Sequence, residues 1–143
     1  MMTIKKTASS NWSGDIKSGK GTISTQSGAL DSQPYGFNTR FEDKSGSNPE
    51  ELVGAAHSAC FSMALSLALG EVGFTADDIS TKATVSLDET DDGFAVSEIE
   101  LVVNAKIADI SNEQFQALCE DTKKGCPISK LLNTTIKLTA KLN

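Results

Sequence analysis

The chain has 143 residues, a formal net charge of -6 and a sequence pI near 4.7. That length suits one domain able to bury roughly two-thirds of its unfolded surface, and residues 1–143 are read as a single domain. With 13 Lys and Arg against 19 Asp and Glu there is no basic stripe to neutralise phosphates, so nucleic acid and anionic membrane surfaces are poor partners.

Met1 to Asp15 carries Lys5 and Lys6 but no apolar run before Trp12. No secretory signal is read there, and a cytoplasmic protein is expected. Three widely spaced cysteines, Cys60, Cys119 and Cys126, do not resemble the stapled framework of a small secreted domain. In a reducing compartment any disulfide among them is expected to be transient. One histidine and no Cys-x-x-Cys argue against a closed zinc site, so no metal is expected.

In chain order, Ala8 to Glu42 is rich in Gly, Ser and Thr and reads as strands with turns, including an alternating stretch of Tyr35, Phe37, Thr39 and Phe41. Asn48, Pro49 and Glu51 supply an N-cap, a first-turn proline and a carboxylate at the third helical position, so a helix is predicted to start there. Leu52 to Leu69 holds no charged residue, which meets the lower length for a membrane span. Interior Gly54, His57, Ser58, Ser62 and Ser66 and the acidic flanks Glu50, Glu51 and Glu71 oppose that reading. A helix apolar all round belongs in a deep core, and a chain this small hardly surrounds one alone, so burial between two subunits is expected.

Further on, Ala83, Val85 and Leu87 alternate, Asp91-Asp92-Gly93 marks a turn, and Ile99, Leu101, Val103, Ala105 and Ile107 share a face: a hairpin with a long second strand. Ser111 with Gln114 opens a shorter helix carrying Phe115, Leu118, Cys119 and Thr122 and ending near Gly125. Pro127 starts a third helix, and Ile136, Leu138, Ala140 and Leu142 alternate in a one-sided final strand.

Two thiols stand out. Cys60 follows His57 by three positions on the apolar helix, which permits a Cys-His nucleophile pair, although a free cysteine among Ala56, Ala59, Phe61 and Met63 equally suits a core. Cys126, between Gly125 and Pro127, lies near a helix start whose N–H groups favour a thiolate, or else it only marks a turn between helices. Cys119 shares the face of Phe115 and Leu118 and reads as core. Arg40 offers a fixed positive charge able to depress a cysteine pKa, and Glu51 either caps the helix or pairs with Arg40.

The run from Tyr35-Gly36-Phe37-Asn38-Thr39-Arg40-Phe41 through Asn48-Pro49-Glu50-Glu51-Leu52 to Ala55-Ala56-His57-Ser58-Ala59-Cys60-Phe61-Ser62-Met63, with Gly125-Cys126-Pro127, resembles the OsmC branch of the OsmC/Ohr family. That resemblance implies an α+β fold, an OsmC-like intertwined homodimer with a long central apolar helix packed against antiparallel sheets. It implies a cysteine-based peroxidase favouring organic hydroperoxides, with Cys60 peroxidatic, Cys126 resolving, and Arg40 with Glu51 as the charged pair that activates the first thiolate. An external dithiol, such as dihydrolipoamide on a lipoyl protein, is the implied reductant. His57 has no role in that scheme. The competing readings are a module binding a lipid-like ligand and a redox sensor without sustained turnover.

Overall fold

Short runs of small and β-branched residues punctuated by Gly and Ser favour brief strands joined by tight turns. The computed structural model, which describes residues 1–143, forms three of them early in the chain: β1 (Ala8–Ser13), β2 (Lys20–Thr25) and β3 (Gln33–Tyr35). They make an antiparallel sheet in that order, with Trp12 and Tyr35 both opposite Gly21. The Trp12 and Tyr35 rings stand 5.6 Å apart across this glycine. A Cβ at position 21 would lie 2.7 Å from the indole and closer still to the phenol, so only glycine fits.

The strand expected to run on through Phe41 is not formed. After Tyr35 the chain enters a short helix, α1 (Phe37–Phe41). Thr39 Oγ1 closes the turn, accepting from the Gly36 N–H at 3.0 Å and donating to the Gly36 carbonyl at 3.1 Å. Phe37 and Phe41 then stack on one side of the helix with ring centroids 5.0 Å apart.

The long helix begins where its cap predicted, as α2 (Pro49–Glu71). Asn48 Oδ1 accepts from the Glu51 N–H at 2.9 Å, and Asn48 Nδ2 donates to the Glu51 carboxylate and to the Thr39 carbonyl. By compactness the chain divides within the first turn of this helix, into Met1–Leu52 and Val53–Asn143.

The second unit continues through β4 (Ala76–Thr90), β5 (Gly93–Ile107), α3 (Asn112–Gly125), α4 (Pro127–Leu131) and β6 (Thr135–Leu142). β4 and β5 are the expected hairpin, turning at Asp91-Asp92 with Gly93 at φ +112°. β6 adds to β5 in parallel, with Ile99 opposite Ile136 and Leu101 opposite Leu138. The sheet is thus mixed rather than wholly antiparallel, because a parallel neighbour needs a crossover and α3 with α4 provides it.

Ser111 caps α3, accepting from the Gln114 N–H at 3.1 Å. Ile99, Leu101, Val103, Ala105 and Ile107 face the core together with Phe115 and Cys119 from α3 and Phe61, Leu65 and Leu69 from α2. Each large side chain so buried contributes roughly 1.5–3 kcal/mol. α2 is long and apolar enough to cross a bilayer by length and composition, yet its stripe His57, Phe61, Leu65 and Leu69 is fully buried in protein, as a core helix requires. Its other side leaves Ala56, Ala59, Met63 and Leu67 exposed.

Candidate active site

α2 carries Cys60, and the junction between α3 and α4 carries Cys126 as the residue that caps both helices. Their sulfurs lie 3.1 Å apart although 66 positions separate them in sequence. Access to the two differs. Cys126 is wholly buried, whereas Cys60 keeps part of its surface open. Cys119, also fully buried, sits in the core cluster as expected, and burial pushes its thiol up to about 12.

The paired thiols are held differently. Burial pushes the Cys60 thiol above its ordinary value, the contact with Cys126 adds to that, and the Ile128 N–H opposes it. Burial alone would raise Cys126 too. The contact with Cys60 and the donors at the start of α4, the N–H and hydroxyl of Ser129 and the Ile128 N–H, outweigh it, so Cys126 comes down. The helix start at Pro127 supplies those donors, since N–H groups in a first turn lack partners inside the helix.

His57 does not pair with Cys60. The ring is fully buried and its Nε2 lies 2.7 Å from Ser129 Oγ, so the histidine reaches the Cys126 side of the pair. Ser129 was not singled out from sequence. Its place, three residues past a cysteine that precedes a helix-starting proline, was the available signal.

In the first unit Arg40 lies on α1 and pairs with Glu50, not with Glu51. Its Nε donates to both Glu50 oxygens at 3.1 and 3.2 Å, and its Nη2 donates to Oε1 at 2.8 Å. The guanidinium also lies over the Phe41 ring, 5.1 Å from its centroid. A fork held this way by a carboxylate and a ring face has little rotational freedom left. Glu51 is occupied by the Asn48 cap, so the pairing expected for it belongs to its neighbour.

Residues 42–141 match the family model described as OsmC-like protein. The chain belongs to this OsmC-like family. It is 55% identical over 141 residues to peroxiredoxin OsmC of Escherichia coli (strain K12), covering 99% of both chains. Organic hydroperoxide resistance protein OhrB of Bacillus subtilis (strain 168) is 35% identical over 124 residues, covering 85% of this chain and 89% of that one. The crystal structure of B. subtilis OhrB superposes with a TM-score of 0.71 at 27% identity, over 96% of this chain and 98% of that one. An OsmC-like protein from Mycoplasma pneumoniae, 16% identical, shares the fold with a TM-score of 0.75 over 99% of both chains. The α+β architecture with its long helix is therefore an OsmC-like fold.

Proposed function

We propose that the chain is a thiol-dependent peroxidase that reduces organic hydroperoxides, with Cys60 meeting the peroxide and Cys126 resolving the product. The observation that carries this reading is a pair of sulfurs 3.1 Å apart with unequal access, one reachable and one wholly buried. Relatives named peroxiredoxin and organic hydroperoxide resistance protein support the same chemistry.

In the reduced site Cys126 gives up its proton first and accepts the Cys60 proton across the short contact, leaving Cys60 as the thiolate. Cys60 Sγ attacks the terminal peroxide oxygen, the O–O bond breaks, and the products are a Cys60 sulfenic acid and an alkoxide. The alkoxide takes the proton from Cys126 and leaves as the alcohol. The Cys126 thiolate then attacks the Cys60 sulfur, the S–O bond breaks, and the departing hydroxide takes a solvent proton to give water. An external dithiol, in our reading a lipoyl protein, reduces the disulfide by exchange. Arg40, fixed by Glu50, is proposed as the positive charge that favours the Cys60 thiolate. A cytoplasmic setting fits a site whose thiols return to the reduced state.

The exposed stripe Ala56, Ala59, Met63 and Leu67, with Met63 76% and Leu67 66% accessible, supports a homodimer that covers α2. We treat the whole chain as one functional domain, because the family match runs across the division in α2. The test is mass spectrometry of the reduced protein after one equivalent of cumene hydroperoxide. A Cys60 to Cys126 disulfide with Cys119 still a free thiol is expected, and three unmodified thiols would refute the proposal.

A further inference from the structure

His57 and Ser129 form a buried polar contact that peroxide chemistry at two thiols does not by itself require. His57 is fully buried and Ser129 is 7% exposed. His57 Nε2 meets Ser129 Oγ at 2.7 Å, and Ser129, in the first turn of α4 that Cys126 opens, has a side chain that helps hold the Cys126 thiol down. His57 Nδ1 is buried with no partner.

A serine hydroxyl has one proton to donate. If it is turned toward sulfur, Ser129 Oγ must accept on its other side, which requires the hydrogen on His57 Nε2. That tautomer leaves Nδ1 as a bare lone pair, and an unpartnered buried acceptor is tolerated more often than an unpartnered buried N–H. The chain of donors then runs one way, from His57 Nε2–H to Ser129 Oγ–H to Cys126 Sγ. Burial disfavours a second proton on the ring, pushing His57 below its ordinary value.

We propose that His57 is a positioning residue for Cys126: its Nε2–H fixes the Ser129 hydroxyl so that the serine proton is permanently presented to the resolving sulfur. The donor chain steadies the Cys126 thiolate in the interval before it attacks the sulfenic acid. Cys60 on α2 is the one other titratable group acting on the Cys126 sulfur, and no carboxylate or ammonium acts on either that sulfur or the ring. The role in resolution rests on the two-thiol reading above.

The test separates the two, because its first two measurements need no peroxide. In a Cys60→Ser/Cys119→Ala background Cys126 is the single thiol, and its thiolate ultraviolet absorbance is titrated against pH. Adding Ser129→Ala or His57→Leu is expected to move that titration to higher pH, while His57→Gln, whose amide N–H stands near the Nε2 position, leaves it in place. Since the chain has one histidine, nitrogen-15 spectra of the unsubstituted protein report its tautomer without ambiguity, and a hydrogen on Nε2 with bare Nδ1 is expected. In the protein with all three cysteines, Ser129→Ala should slow disulfide formation after one equivalent of cumene hydroperoxide by about tenfold, the usual cost of one hydrogen bond to a charged group. A titration that Ser129→Ala does not move, a hydrogen on Nδ1, or a His57→Gln protein that titrates like His57→Leu would each overturn the proposal and reduce the ring to packing.

Discussion

Replacing Cys126 by serine removes the sulfur proposed to resolve the sulfenic acid while leaving a side chain of similar size beside the same Ser129 and Ile128 donors. In the native site the two sulfurs must close by only about 1 Å to reach bonding distance. Groups held in such geometry react as though present at roughly 10⁵ M or more. An external thiol at about 1 mM is lower by some eight orders of magnitude. Even if the site realises only one part in about 10⁵ of that advantage, the Cys60 sulfenic acid should live about a thousandfold longer in the variant. The assay is a time course after one equivalent of cumene hydroperoxide, with dimedone trapping and intact mass at each point. The variant should consume one peroxide per chain, more slowly than the native protein because Cys60 has lost its proton acceptor. It should then hold one added oxygen on Cys60, and excess peroxide should add a second. A sulfenic acid that vanishes from Cys126→Ser at the native rate would refute the resolving role of Cys126.

Three further outcomes are expected. Arg40→Ala and Glu50→Ala should both slow peroxide consumption, the second because it frees the guanidinium, whereas Glu51→Ala should leave the rate in place and cost about 1 kcal/mol of stability by removing the carboxylate that holds the Asn48 amide; equal rates for the two Glu variants in a steady-state assay would remove Arg40 from the site. The Cys119 thiol is raised by folding from 9.0 to about 12, so its contribution to stability is whole below pH 9 and is lost as pH climbs toward 12, by about 1.4 kcal/mol per pH unit. Urea unfolding of Cys119→Ala against the parent across that range should show the difference shrinking, and a constant difference would contradict it. If a second copy covers α2 as proposed, the parent should sediment as a dimer and Leu67→Glu, which places a charge in the exposed stripe, as a monomer; a parent that sediments as a monomer would refute it.

The parts legible in the sequence are those whose signal is local. Asn48, Pro49 and Glu51 mark the start of α2 within four residues, Asp91-Asp92-Gly93 marks the hairpin, and Ser111 marks α3. The five residues of α1 were misread because Phe37 and Phe41, four apart, share a face in a strand and in a helix alike. Alternation in Ile136, Leu138, Ala140 and Leu142 gave a strand but not its direction, since side chains alternate identically in parallel and antiparallel pairs. Choosing between Glu50 and Glu51 needed the helix phase relative to Arg40, and His57 finds Ser129 across 72 positions. Partners that distant are set by how α2 and α4 meet, which no spacing within either helix encodes.

The separation of 66 positions between Cys60 and Cys126 has a thermal consequence. A covalent link closing a loop of that length removes much of the unfolded chain's freedom, about 4 kcal/mol at room temperature on the chain-entropy account. Each catalytic cycle would then alternate between a looser protein and a markedly more heat-resistant one. The melting temperature of a sample should therefore report what fraction of its molecules is waiting for reductant.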